Sequence, residues 1–325
     1  MLASSTFMTL MRAMIYRAYG GPERLESVEL PRPVAAANQV LVRVRASSVN
    51  PIDWKRGSGA LRMIMPASFP LVPGFDIAGE VAAIGAGVTA FSVGMRVHAR
   101  IGELSGGASA EYAVAGTDVV APMPEGLDFA DAAGLPLAGM TALQGLRDQA
   151  SMPLEGSKDR VLIVGASGGV GHFAVQIARS AGATVVGVCS GRNAALVTSL
   201  GAREVLDYTQ PEPYRGQAPF DIVLDCVAGD PGPWLPLLGP GGRYASCVPG
   251  PSVFLRAALN PFSSKKVKPV LLKSRAADLR VLDQLFEAKK LRVVIDSRHP
   301  LEKLAAAWER SISGRAAGKI IVEVA

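Results

Sequence analysis

The stretch Arg160-Val-Leu-Ile-Val-Gly165-Ala-Ser167-Gly168-Gly169-Val170-Gly171-His-Phe-Ala-Val-Gln-Ile-Ala-Arg179 decides how the rest of the chain is read. An apolar run, Val161 to Val164, meets a glycine-rich turn and then a segment with apolar residues at helical spacing. A second β-type run, Thr184 to Val188, follows Gly182. Strand, turn, helix and strand in that order make one βαβ unit. Its glycines let backbone N–H groups approach a pyrophosphate, whose charge suits the helix N-terminus. A bare glycine pattern would fit an ordinary βα turn, and the ordered flanking elements set this one apart. The residues predicted to line it are Gly165, Ser167, Gly168, Gly169, Val170 and Gly171.

The alternation continues on the C-terminal side. Glu204–Leu206, Asp221–Asp225, Arg243–Ser246 and Pro269–Leu272 read as strands, and Asn193–Leu200 and Pro233–Leu238 as the helices among them. This is the repetition of a doubly wound parallel sheet. Thr141 to Gln149 and Asp278 to Lys290 read as further helices. Leu291–Ile295 and Lys319–Val324 read as strands around a helix over Leu301–Ser311. Asp128 is a plausible N-cap for a helix that follows it. Before Asp128 the texture is β-rich. Met14–Tyr16, Gln39–Ala46, Ile77–Ile84, Arg96–Arg100 and Ala110–Val114 read as short strands punctuated by Gly and Pro, the pattern of a barrel or sandwich.

With 325 residues, 49% of them hydrophobic, the chain can build two cored domains. No apolar run is long enough to span a bilayer. Met1 to Leu10 lacks the basic start and long apolar core of a secretory signal, and Met11 or Met14 is an alternative start. The three cysteines, Cys189, Cys226 and Cys247, show no metal-type spacing and predict reduced, mostly buried thiols in a cytoplasmic protein. The net charge of +6 is spread along the chain, with Lys265-Lys266-Val-Lys268 its densest run. Without a recognition helix or aromatic platform this argues against nucleic acid and for an anionic small molecule such as a phosphorylated cofactor.

Several motifs in order resemble the medium-chain dehydrogenase/reductase superfamily, and within it the quinone oxidoreductase-like branch that lacks zinc. They are Ser48-Val-Asn50-Pro-Ile-Asp53, Pro73-Gly74-Phe-Asp76-Ile-Ala-Gly79, Val93-Gly94-Met-Arg-Val97, Leu135-Pro136-Leu-Ala-Gly139-Met-Thr141 and Ser313-Gly314-Arg-Ala-Ala-Gly318-Lys319, besides the glycine turn. The resemblance implies an α/β chain in which residues 130–275 form a Rossmann dinucleotide-binding domain. Residues 11–129 and 276–325 would form a β-rich GroES-like catalytic domain. The motif alignment places Asn50, Phe75 and Leu137 where zinc-holding relatives carry Cys, His and Cys. Phe and Leu cannot donate to a metal, so no metal is expected. Four closely spaced cysteines of a structural zinc lobe also have no counterpart between Arg96 and Tyr112.

NAD-binding units end their second strand with an acid that bonds the ribose hydroxyls. Here that end is Val188-Cys189-Ser190-Gly191-Arg192. Ser190 and Arg192 suit a 2′-phosphate, and Tyr208 resembles a residue that lines it, so NADPH is the expected cofactor. Cys226, Val227 and Ser246, at strand carboxyl ends, are expected to face it, and the resemblance adds Lys319 as a late cofactor or active-site contact, where a solvated lysine before the last strand is the alternative. Thr141 matches a family position beside the nicotinamide. On the substrate side Asn50 is the candidate for bonding a carbonyl, with Asp53 orienting it or supporting Lys55; the same segment also reads as a turn-capping element. Lys55, Tyr112 and water are the candidate proton donors. The expected reaction is hydride transfer to a quinone or α,β-unsaturated carbonyl. A pathway-specific enoyl reductase and a non-catalytic, RNA-binding relative are the alternatives. The family is usually homodimeric, with the sixth strand of the parallel sheet as the contact edge.

Overall fold

The computed structural model describes residues 9–103, 105–227 and 229–325. Most of the segment Met1–Leu10, read above as lacking the features of a secretory signal, therefore lies outside the described residues. The chain divides into two compact units. One takes residues up to Leu137, Ser274–Arg280 and Ile295–Ala325; the other takes Ala138–Lys273 and Val281–Val294.

The first unit is β-rich. Strands β1 (Leu10–Ile15) and β2 (Glu26–Pro31) pair antiparallel. Next come β3 (Gln39–Val49), helix α1 (Pro51–Gly57), β4 (Asp76–Ile84), β5 (Arg96–Arg100), β6 (Tyr112–Gly116) and β7 (Val120–Pro122). Helix α2 (Phe129–Gly134) follows, with the Asp128 carboxylate accepting from Asp131 N, as an N-cap should. The unit is completed by β14 (Ile295–Pro300), α8 (Leu304–Ile312) and β15 (Lys319–Glu323). Its main sheet runs β14-β15-β3-β4-β5-β7, with β6 also on β3. Alternating strand residues such as Val40, Val42 and Val44 bury against Trp308, Ile320 and Val97, which is why a period-two pattern holds along β3.

The second unit holds α3 (Pro136–Gln144, which begins at the division), β8 (Arg160–Val164), α4 (Gly171–Ser180), β9 (Thr184–Cys189), α5 (Ala194–Ser199), β10 (Glu204–Asp207), β11 (Phe220–Asp225), β12 (Leu238–Ser246), α6 (Pro251–Ala258) and β13 (Lys266–Pro269). Helix α7 (Ala276–Glu287) crosses from one unit to the other in sequence. All six strands are parallel in the order β10-β9-β8-β11-β12-β13, so the strand order reverses between β8 and β11. Ligands of such sheets bind outside the strand carboxyl ends at that reversal.

Several expectations need correction. The helix expected over Pro233–Leu238 is one 3₁₀ turn, Leu235–Leu237, because Pro236 has no N–H to continue it, and β12 starts at Leu238. The sixth strand is Lys266–Pro269, pinned by Val267 in the core, and not Pro269–Leu272. Pro51–Gly57 is a helix rather than only a turn, α6 carries no expectation from the sequence, and the strand expected at Leu291–Ile295 begins at Ile295. Residues 281–294, expected with the catalytic domain, cluster with the Rossmann unit. There the Gln176 amide clamps the Arg292 backbone, donating to its carbonyl at 3.0 Å and accepting from its N–H at 2.9 Å. Residues 130–137 cluster with the β-rich unit, where Leu137 N donates to Asp76.

Candidate active site

Strand register builds a polar cluster inside the β-rich unit. Ser48 on β3 lies opposite both Asp76 on β4 and Ile321 on β15, and Arg100 on β5 also lies opposite Asp76. Val49 pairs with Ile320, so Asn50 and Lys319 meet one step further on. Lys319 Nζ donates to Asn50 Oδ1 at 2.6 Å, and Asn50 Nδ2 donates to Asp76 Oδ2 at 2.8 Å. Asp76 also accepts from Ser48 Oγ at 2.7 Å and Leu137 N at 2.9 Å, with the Lys319 ammonium 3.8 Å away. All of Ser48, Asn50, Asp76 and Lys319 are buried.

Asp53 joins from α1. Its Oδ2 accepts from Asn50 N at 2.7 Å, the carboxylate half of a capping box, while the Asn50 side chain is engaged with Asp76 and Lys319. Asp53 Oδ1 has no hydrogen-bond partner among the described residues. Burial, reinforced by the charge of Asp76, pushes the Asp53 carboxyl up to about 8, against the pull of the Asn50 N–H. Burial pulls the Lys319 ammonium down, and Asp76 and Asp53 oppose that pull.

The structure thus brings together Asn50, Asp53 and Lys319. Lys319 joins them from β15 through its bond to Asn50. Lys55 lies elsewhere on α1, its Nζ 5.5 Å from the Trp54 ring, and Tyr112 on β6 carries the Arg32 guanidinium over its ring at 3.8 Å. Thr141, buried in α3, belongs to the other unit. Sequence reasoning gives no role to Asp76 or Ser48. The available signal is a carboxylate opening a strand whose next residues are apolar, since an unpaired Asp is seldom fully buried.

In the Rossmann unit the glycine turn joins β8 to α4. Gly165 has φ +75°, a conformation that glycine adopts freely. A Cβ on Gly171 would stand 2.1 Å from the Gly165 carbonyl oxygen, so only glycine lets α4 start this close to the strand. Gly165 N and Ala166 N donate to Val188 O, and Gly168 N to Gly165 O. Among the described residues the N–H groups of Ser167, Gly169, Val170 and Gly171, at the start of a ten-residue helix, donate to no backbone acceptor. That cradle fits a dinucleotide pyrophosphate. Val227 lies over it, its Cγ2 2.2 Å from where a Gly165 Cβ would be. Cys226 and the buried Ser246 close β11 and β12 at the same sheet end.

At the end of β9, Ser190 is half-buried and Arg192 exposed, and Asn193 Nδ2 donates to Ser167 Oγ at 3.0 Å. Tyr208 follows β10 and is exposed. Asp207, overlooked in the sequence, pairs with Cys189 across the β9–β10 ladder and stands beside Gly191. Its carboxylate is held by Thr209 N and Oγ1 at 2.9 and 2.8 Å. Among the described residues no group of three or more His, Cys, Asp or Glu has metal-holding geometry. No described helix is long and apolar enough to cross a membrane.

Comparison with known proteins agrees with this architecture. The alcohol dehydrogenase GroES-like domain family matches residues 36–125, and the zinc-binding dehydrogenase family matches residues 200–322. The chain is 42% identical to a chloroplast envelope quinone oxidoreductase homolog of Arabidopsis thaliana, over 97% of this chain and 98% of that protein. It is 32% identical to the chloroplastic NADPH-dependent alkenal/one oxidoreductase of the same plant, over 96% of this chain and 79% of that protein. The quinone oxidoreductase structure from Coxiella burnetii superposes with a TM-score of 0.87 at 32% identity, covering 98% of this chain and all (100%) of that one. The chain therefore belongs to the quinone oxidoreductase-like branch of the medium-chain dehydrogenase/reductase superfamily. It is an oxidoreductase of a family that uses a nicotinamide cofactor.

Proposed function

We propose that the chain is an NADPH-dependent reductase of quinones or α,β-unsaturated carbonyls that works without a metal ion. The observation that carries this reading is the Lys319 ammonium set against Asn50 and Asp76. Of the positions that match zinc ligands in relatives, Asn50 bonds Lys319, and the side chains of Phe75 and Leu137 offer no donor atom, while Leu137 N donates to Asp76. The site's cation is then an ammonium rather than a Lewis acid. Electron-poor quinones and enones suit it, because their developing charge is already delocalised, whereas alkoxide chemistry needs stronger help.

Bound NADPH supplies the hydride in this family's chemistry. The chain's part is to hold the pyrophosphate on the N–H groups of Ser167 and Gly169–Gly171, and to set Ser190 and Arg192 toward the 2′-phosphate. An asparagine amide carries two N–H donors. Asn50 gives one to Asp76, and the other is the donor assigned to the substrate oxygen, fixed in direction by Lys319 at the amide oxygen. Asp53 keeps a proton up to about pH 8 and can return it to the reduced product. Met63 and Ile64, highly exposed just after α1, offer apolar surface for a ring or alkenyl chain. Free thiols at all three cysteines favour a reducing, cytosolic setting.

We also infer a homodimer through the β13 edge. Among the described residues that strand pairs on one side only, and Phe254, Leu255, Leu259 and Phe262 stand exposed on and after α6, which packs beside it.

The test is NADPH oxidation with 1,4-benzoquinone, 9,10-phenanthrenequinone and simple enones, on protein treated with a chelator. Turnover of any of these after chelation, with NADPH preferred to NADH, supports the reading. Turnover that vanishes on chelation and returns with zinc overturns it.

A further inference from the structure

Two of the three cysteines stand side by side at the carboxyl edge of the parallel sheet. Asp225 ends β11 and pairs with Ser246, which ends β12, so Cys226 and Cys247 are the residues that immediately follow two adjacent strands. Cys247 N donates to Asp225 O at 2.8 Å and Cys226 N to Val164 O at 3.1 Å, which carries the ladder through both residues. Their sulfurs are 4.0 Å apart, and both side chains are half-buried rather than sealed in the core. The residues before them are anchored. Asp225 accepts from Tyr244 OH at 2.7 Å and from Val227 N at 3.0 Å, and Ser246 Oγ accepts from Val248 N at 3.3 Å. Side-chain rotation is therefore the main freedom left to the pair.

Neighbouring strands lie about 4.8 Å apart, within the Cα window of about 4.4–6.8 Å that a disulfide spans. Closing the sulfurs from contact to bond length takes a movement of about 2 Å, which rotation about χ1 provides. Cys189 cannot join them. It ends β9, two strands from β11, and is buried.

We propose that Cys226 and Cys247 are a redox-active dithiol that a peroxide converts to a disulfide, and that the bridge weakens dinucleotide binding at the adjoining glycine turn. The second clause rests on the NADPH reading above. In the first step Cys247 Sγ attacks one peroxide oxygen. An S–O bond forms, the O–O bond breaks, and the hydroxide released takes a proton to leave as water. Cys226 Sγ then attacks Cys247 Sγ, forming S–S and breaking S–O, and a second water carries off the Cys226 proton. The two sulfurs together lose two electrons and the peroxide gains them. The order of attack is interchangeable: with the two sulfurs exchanged the same bonds form and break and the same disulfide results.

The link to the turn is steric. Cys226 Cβ lies 3.8 Å, and Val227 Cγ2 2.2 Å, from where a Cβ on Gly165 would be. Rotation of Cys226 about χ1 toward Cys247 swings its Sγ, carried on the Cβ that lies against Gly165, and so repacks the side chains beside the glycine turn.

The test uses the full reduced chain, exposed to hydrogen peroxide, alkylated with N-ethylmaleimide and mapped by mass spectrometry. The expected product is about 2 Da lighter before alkylation and yields one linked peptide pair, Cys226 with Cys247. C226S and C247S each abolish the linked pair, and C189S keeps it. Overoxidation of each sulfur separately, or full alkylation of both after peroxide, overturns the dithiol; the wild-type map alone decides this even if a variant folds poorly. Fluorescence titration with NADPH then compares reduced and bridged protein, with a Kd at least about fivefold higher expected for the bridged form. Equal Kd values overturn the coupling. Failure of the reduced protein to bind NADPH at all overturns the functional reading instead and leaves the mass result standing.

Discussion

Lys319 and Asn50, 269 residues apart in sequence, are joined by a 2.6 Å hydrogen bond from ammonium to amide oxygen inside the β-rich unit. The bond fixes which end of the Asn50 amide faces Lys319, so the nitrogen end is left for Asp76 and for substrate. Asn50→Ala removes that donor. Its kcat should fall by about 100-fold, the usual cost of losing an oxyanion-type donor, with the NADPH Kd nearly unchanged. Stopped-flow turnover beside cofactor titration checks the split, and an unaltered kcat removes Asn50 from the mechanism.

Lys319→Met leaves Asp76 buried without its ammonium. Breaking one side of a buried pair costs about 3 kcal/mol or more. Urea unfolding should show a clearly lower midpoint at unchanged slope, whereas a midpoint equal to wild type would mean that the 3.8 Å approach contributes nothing to the fold.

Asp53 makes stability depend on pH in a stated direction. An aspartate in the unfolded chain releases its proton near pH 3.9, while the folded one keeps it to about 8. Between these values the native state binds a proton that the unfolded state has lost, so stability falls as pH rises through the window. Asp53→Asn stays neutral throughout and still offers an oxygen to Asn50 N. The variant should match wild type near pH 4 and exceed it at pH 8 by about 1 kcal/mol or more. Parallel stability–pH curves for the two proteins would place the Asp53 titration elsewhere.

How much of this is legible in the sequence follows from the range of the interactions. The βαβ unit is local: Val161 to Val188 carries its own strand run, glycine turn, helical spacing and second strand within about thirty residues, the scale on which such patterns act. The Asn50–Asp76–Lys319 cluster depends on the register of β3, β4 and β15, which no local pattern fixes; the residues are visible singly, but their meeting is not. Pro233–Leu238 shows the opposite failure, where apolar spacing suggests a helix and Pro236 withholds the N–H that would extend it. Residues 281–294 read as part of the C-terminal tail until the Gln176 clamp on Arg292 is seen.

Two glycines of the turn should respond very differently to a methyl group. At Gly171 it meets the Gly165 carbonyl oxygen at 2.1 Å, and at Gly168 the same oxygen at 3.3 Å. Backbone cannot give way by an ångström without moving α4 off the strand. Gly171→Ala should lose about 1–3 kcal/mol of stability, the usual cost of overpacking, and bind NADPH at least tenfold more weakly. Gly168→Ala should lose far less of both, and calorimetric unfolding with cofactor titration separates the two.

The choice between NADPH and NADH comes down to two charges, Arg192 just after β9 and Asp207 at the end of β10. Asp207 stands beside Gly191, where an acid could bond ribose hydroxyls, but its carboxylate already accepts from Thr209 N and Oγ1, with Gln210 Nε2 at 3.4 Å. Those bonds, the Thr209 N–H foremost, hold it below the usual carboxylate range and commit it to closing the turn after β10. Arg192 is exposed and makes no ion pair among the described residues, so its guanidinium is free for a phosphate. Arg192→Ala should therefore raise the NADPH Kd about tenfold and leave the NADH Kd nearly constant, since a hydrogen bond to a charged group contributes about 1.5–3 kcal/mol. Asp207→Asn should change neither Kd by much. If Asp207→Asn instead weakens NADH alone and Arg192→Ala touches neither cofactor, the carboxylate reads the ribose and the enzyme prefers NADH.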